Sequence, residues 1–183
     1  MTRNKITPYD SMSAEQKKSY DTIFTGPRQI FGGPFPALVV SPQLCDNAQE
    51  LGLYVRFNSS LSGQMREMVI LLCVRHWNSQ NEWNSHTKFA RQEKLDESII
   101  EQIRTRNFAP FENYEFQTIR EFTMSLLACS KVPDPLYEST FSIIGQRGIA
   151  DLVSTIGYYC LVCLTLTAFD VDLPDGVLPQ LDV

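Results

Sequence analysis

The sequence predicts an all-α fold, a single-domain bundle of about seven or eight helices. Three observations carry this. Apolar residues recur at spacings of three and four through most of the chain. No run sustains the period-two alternation of a strand. Helix-capping residues, Ser13, Ser62 and Asp96 among them, stand just ahead of apolar-periodic segments.

Ser13 caps a first helix to about Phe24, with Glu15 in its first turn. Gly26-Pro27, Gly32-Gly33-Pro34 and Pro36 then interrupt regular structure. With Phe31 and Phe35 inside it, this stretch reads as an ordered loop that pins aromatics. Ser41-Pro42 restarts a helix whose Leu44, Ala48, Leu51 and Val55 share a face. Ser62 caps the next. There Met65, Met68, Val69, Leu72, Cys73 and His76 share a face and apolar residues fill most of the rest, as in a buried helix.

Asn78 to Asn81 is a polar break, and Asn81 caps a helix to about Glu93. Asp96 caps another, with Ile99, Ile100 and Ile103 inward. Pro110 opens a long helix to about Ser130, whose apolar set includes Phe116, Ile119, Phe122, Leu126 and Leu127. Pro133 and Pro135 bracket a turn. A short helix reaches Ile144, Gly145 to Gly148 breaks it, and an apolar helix over Leu152 to Phe169 follows. The tail from Asp170 to Val183 holds Pro174, Gly176 and Pro179 and reads as irregular.

Composition narrows the function classes. The 183 residues are 43% hydrophobic and 20% charged, which excludes a disordered chain. Sixteen basic against 21 acidic residues give a net charge of −5. The densest basic cluster is Arg104 and Arg106, so no nucleic-acid partner is expected. The charge-free run Leu152 to Phe169 approaches the length of a membrane span. It contains Ser154, Thr155, Thr165 and Thr167 and ends in acids without a basic anchor, so a buried helix and no membrane partner are expected. Met1 to Asp10 lacks the apolar core of a signal peptide, and five cysteines make an odd count. Reduced thiols and a cytoplasmic location are the expectation.

The chemistry-bearing residues are few. His76 and His86 are the two histidines, and Glu82 precedes His86 by four residues. On one helix that spacing lets carboxylate and imidazole touch, which suits proton transfer; a solvated surface pair has the same spacing. Glu67 opens an apolar helix and reads either as dipole stabilisation or as a second acid. Arg75 stands near the end of that helix, to cap it or to fork onto an anionic substrate. Cys160-Leu161-Val162-Cys163 is a Cys-x-x-Cys pattern and reads either as core thiols, made inert by burial mid-helix among apolar residues, or as a redox pair. One Glu and one His make too small a ligand set, so no metal is expected.

The series Leu61-Ser62-Gly63-Gln64-Met65-Arg66-Glu67, Ile70-Leu71, Val74-Arg75, Glu82-Trp83-Asn84-Ser85-His86, Ala90 and Ile99 resembles the carboxymuconolactone decarboxylase family, which includes the alkyl hydroperoxidase D proteins. The match is best over residues 61–103. Gly157-Tyr158-Tyr159 through Leu173-Pro174-Asp175-Gly176-Val177 is similar to longer members. The resemblance implies one alkyl hydroperoxidase D-like helical domain over 1–183, assembled as a homotrimer or hexamer, with a site around the His86 helix near a subunit boundary. The peroxidase branch places a Cys-x-x-Cys seven and four residues before its histidine; Ser79 and Glu82 stand there. A glutamate nineteen residues before the histidine corresponds to Glu67.

The resemblance therefore implies catalytic roles for Glu67, Glu82 and His86 without the branch's thiols. The expected activity is a cofactor-free carbon–carbon lyase, a decarboxylase of a small anionic, lactone-like carboxylate. His86, held by Glu82, delivers the proton, and Glu67 sets the protonation of the pair. Arg75 binds the substrate carboxylate, while Trp83 and Phe89 wall the pocket. Antioxidant peroxidase or disulfide reductase chemistry, and an inactive oligomeric binding module, are the alternatives.

Overall fold

The computed structural model describes residue 3 and residues 7–107, 109–129 and 131–182. Phe108, Ser130, Val183 and five of the first six residues lie outside these. The described residues form eight α-helices and no strand.

The first three helices build a small core of their own. Ser13 starts α1 (Ala14–Thr25) with a capping box: Ser13 Oγ accepts from the Gln16 amide and Gln16 Oε1 accepts from the Ser13 amide. The Gly/Pro stretch, expected as a loop, contains a single helical turn, α2 (Phe35–Leu38). Pro34 and Pro36 fit there because a first turn has no partner for their missing N–H. α3 (Pro42–Leu53) runs on into a π-helical turn over Tyr54–Asn58. Ile23, Phe35, Val39, Cys45 and Ala48 pack together between these elements.

The larger core surrounds α4 (Gly63–His76), which Ser62 caps through the Met65 amide. Every residue from Glu67 to Arg75 is buried. The reason is packing on all sides, by α5 (Gln80–Gln92), α6 (Glu97–Arg104), α7 (Tyr114–Cys129) and α8 (Asp134–Ala168). A helix enclosed in this way needs apolar residues all round, and its sequence supplies them. Glu67 and Arg75 are the charged residues it buries.

Four helices end in the same motif. Asn78, Lys94, Arg106 and Asp170 each take a left-handed backbone just past the C-cap, with φ of 52°, 62°, 53° and 53°. The following amides, of Ser79, Leu95, Asn107 and Val171, donate back to the carbonyls of Val74, Ala90, Gln102 and Leu166 at 2.9–3.0 Å. These bonds satisfy carbonyls that a helix end otherwise leaves open. None of the four residues is glycine.

Two helix starts differ from the sequence reading. α5 starts at Gln80, with Ser79 as N-cap, because Asn78 itself closes α4. Asn81 lies inside the first turn, and its side-chain amide donates to the Asp172 carbonyl at 2.8 Å. α7 starts at Tyr114 rather than Pro110, since Asn113 Oδ1 accepts the Phe116 amide at 3.1 Å and does the capping. α8 is interrupted where the sequence places a break: it kinks after Ile144 at a non-helical residue, Gly145 (φ 65°, ψ −179°). That conformation belongs to glycine alone.

α8 is long and apolar enough to cross a membrane, but 61% of its most apolar window is buried inside the protein. Leu152, Ile156, Tyr159, Cys163 and Leu166, at helical spacing, form the buried face. The irregular tail folds back over α5. Gln80 Oε1 accepts from the amides of Gln180 and Leu181, Gln80 Nε2 donates to the Leu181 carbonyl, and the Leu181 side chain enters the main core.

Candidate functional site

His86 is 4% exposed and has a carboxylate at each ring nitrogen. Nδ1 lies 2.8 Å from Glu67 Oε2, reaching across from α4. Nε2 lies 3.4 Å from Glu82 Oε2, one turn earlier on α5. The pattern Glu82–His86 follows from helical spacing. Glu67 joins it because α4 and α5 pack side by side. Arg66 Nε stands 3.6 Å from the other oxygen of Glu67.

Burial alone would lower the imidazole pKa. The hydrogen bond and charge of Glu67, then those of Glu82, outweigh it and raise His86 to about 8. The ring therefore holds a proton at each nitrogen at neutral pH. Tyr159 sets its ring edge-on to the imidazole, 4.9 Å between centroids, and Phe89 packs at 5.5 Å. Burial, then the charges of Glu67 and Glu82, push the Tyr159 phenol well above its ordinary range, so it stays neutral beside them.

His86 and Glu82 border a cleft of about 340 Å³. Ser85 and Phe89 of α5, Tyr158, Tyr159 and Val162 of α8, and the loop Gly32-Gly33-Pro34 with Phe35 complete its walls. Gly33 takes a left-handed backbone (φ 59°), open to glycine without strain, and carries the loop across Glu82. Three cations also line the cleft: Arg28, Arg56 and Lys88. Arg28 donates to Gln49 Oε1 at 2.7 Å and to the Tyr158 hydroxyl at 3.4 Å, and stacks over Phe35. Arg56 lies over the Phe89 ring at 4.6 Å. The cleft thus combines a proton-charged imidazole at its wall with guanidinium and ammonium groups suited to an anion.

The structure brings Glu67, Glu82, His86 and Phe89 together and leaves Arg75 and Trp83 elsewhere. Arg75 is buried on another side of α4, where it donates to the carbonyls of Arg104 and Asp182 and to Asn78 Oδ1. With exposed His76, it borders a separate cavity of about 290 Å³. It therefore ties helix ends and tail together instead of meeting a substrate in the cleft. Trp83 is 1% exposed and belongs to the main core. Sequence reasoning missed Arg28, Arg56 and Phe35, which come from separate segments and carry no local signal. Among the described residues no group of three His, Cys, Asp or Glu is placed to hold a metal ion.

The two thiols of α8 diverge. Cys163 is buried, and burial pushes its pKa far up. Cys160, inert on the core-thiol reading, is half-buried and sits at about 6, held down by hydrogen bonds from Cys73 and then Trp77 against the effect of burial.

No protein-family model and no curated protein matches the chain. Among solved structures it is similar to a protein of unknown function from Agrobacterium tumefaciens, provisionally described as antioxidant defence protein AhpD. The two are 15% identical, the match covers 75% of this chain and 95% of the other, and the TM-score is 0.62. The chain has an all-helical, AhpD-like fold.

Proposed function

We propose that the cleft is a cofactor-free acid–base site that decarboxylates a small anionic, lactone-like carboxylate, a carbon–carbon lyase activity. The observation that carries this reading is the imidazole held between two acids at the wall of a cation-lined cleft. Breaking the carbon–carbon bond releases carbon dioxide and leaves an electron pair on carbon. That pair needs a proton, and the His86 imidazolium is the donor. Arg28 and Arg56 bind the substrate's charged groups, and the aromatic walls keep water from the developing carbanion. Glu67 and Glu82 favour reprotonation of the ring afterwards. In this role the ring is an acid before it is a base, so activity declines as pH rises through about 8.

The test is a panel of lactone carboxylates assayed for carbon dioxide release by the native chain and by His86→Ala. Turnover that the variant retains in full removes the proposal. The rival reading is antioxidant peroxide reduction, which the description of the structural neighbour favours. Peroxide consumption driven by a dithiol, with no carbon dioxide released from any lactone, would establish it instead.

A further inference from the structure

The cavity of about 290 Å³ beside α4 is bordered by α4, α6 and α7 and shares no residue with the His86 cleft. Leu72 of α4, Ile103 of α6 and Met124 of α7 give it an apolar wall. Four basic side chains also line it, Arg75, His76, Arg106 and Arg120, and no carboxylate does. In a chain of net charge −5 this gathering is local, and the fold makes it from three separate segments.

Neutral partners hold the basic groups in place. Arg120 is 6% exposed, lies over the Phe111 ring at 4.4 Å, and donates to the carbonyls of Ala109 and Asn107 at 2.8 and 3.2 Å. Arg106 donates through Nη2 to the Arg75 carbonyl at 3.3 Å and to Asn78 Oδ1 at 3.0 Å. Its Nε and Nη1 make no hydrogen bond among the described residues, and it forms no ion pair among them. Arg75, tied to carbonyls and Asn78, adds charge from behind. Like charges crowded in this way repel. After burial, Arg106 is the next cause that lowers the pKa of both Arg75 and His76. Asp182 acts the other way on Arg75, and Glu121 on Arg120, but neither acid lines the cavity. Gln102, also on its border, has a buried Oε1 without a hydrogen-bond donor among the described residues, an acceptor that native interiors rarely leave open.

We propose that this cavity is a second ligand site, which takes a small amphipathic carboxylate. The carboxylate faces Arg106 and Arg120, and a flat apolar body lies against Leu72, Ile103 and Met124. Arg106 and His76 are exposed, so a solute reaches the cavity from their side, while Leu72, Ile103 and Arg120 are buried and form its floor. A bare inorganic anion leaves the apolar wall wet, and a neutral ring leaves the guanidinium groups without a counter-charge. A molecule with both parts meets both halves of the site. The volume is at the small end for ligand pockets, which limits the body to a compact ring system.

The experiment titrates indole-3-carboxylate into the native full chain at neutral pH, with calorimetry for affinity and NMR for the two histidines. His76 borders this cavity and His86 the cleft, so the two imidazoles report which site fills. The expected result is saturable one-site binding that moves the His76 resonances and leaves those of His86 in place. His76 also titrates at higher pH with the carboxylate bound, since the anion offsets Arg106. Indole and inorganic phosphate bind about 10-fold or more weakly, each lacking one half of the match. Arg106→Gln weakens indole-3-carboxylate by a similar factor, and Met124→Trp, which fills the space without removing a charge, blocks it. No saturable binding, movement of His86 in place of His76, phosphate or indole binding as tightly, or an unchanged affinity in Arg106→Gln overturns the proposal. The wild-type titration decides the matter even if a variant fails to fold. Because His76 is the reporter and no turnover is measured, its failure is distinct from failure of the decarboxylase reading.

Discussion

A buried histidine with a carboxylate at each nitrogen rests mainly protonated at neutral pH, because the acids hold the second proton on the ring. Removing one acid should show how much each contributes. Glu67→Gln replaces the closer, shorter contact and should lower the His86 pKa by about one unit or more, by loss of a buried charge-assisted hydrogen bond. The chain has two histidines and one is exposed, so imidazole resonances titrated by NMR resolve this directly. An unmoved His86 titration would contradict the geometry. Arg75→Ala separates the site from its surroundings in another way. It should leave reaction at the cleft intact and cost about 1–3 kcal/mol of stability, because the carbonyls of Arg104 and Asp182 lose this donor and Asn78 Oδ1 keeps only Arg106. Denaturant unfolding beside an activity assay tests both halves. At this scale the sequence is legible where partners share a helix, as Glu82 and His86 do. Glu67 stands nineteen residues away and is reached only through family resemblance; Arg28 and Arg56 are reached by neither route.

At the scale of elements, helix ends are read as closely as helix starts: the expected ends near Phe24, Glu93 and Phe169 fall one residue from Thr25, Gln92 and Ala168. Ser13, Ser62 and Asp96 cap the helices expected of them, because a side-chain oxygen beside a free amide is a local chemical fact. The ends are closed without the usual marker, since Asn78, Lys94, Arg106 and Asp170 occupy a backbone region that glycine normally fills. Lys94→Gly should therefore stabilise the chain by about 1 kcal/mol, relieving the Cβ penalty at an exposed side chain. A lowered denaturation midpoint would argue against that account. A second prediction concerns how α8 is anchored. Buried Asp151 accepts from the Tyr54 hydroxyl at 2.8 Å and from the Ser60 amide and hydroxyl at 2.7 and 2.6 Å. Asp151→Ala leaves those donors without an acceptor and should cost about 2–4 kcal/mol, measured by chemical denaturation.

The whole molecule feels the same imidazole. Its folded-state pKa of about 8 exceeds the ordinary 6.5, so the folded chain binds this proton more tightly than the unfolded one. The resulting stabilisation is fully present below about 6.5 and is lost as pH rises through about 8. A shift of this size corresponds to about 2 kcal/mol. Melting temperature should fall over that interval in the wild-type chain and hold level in His86→Gln. The all-helical architecture was legible as a whole because binary patterning, caps and breakers agree along most of the sequence. The one-turn α2 was not, since prolines and glycines that break a helix also permit its first turn.

The most apolar segment of the chain is also its last helix. During synthesis α4 and α7, which pack on α8, leave the ribosome before it does. The nascent segment that would most readily engage a membrane-insertion machinery is thus the one whose cover has already been made. The order of elements along the polypeptide shortens the time for which that greasy surface is bare.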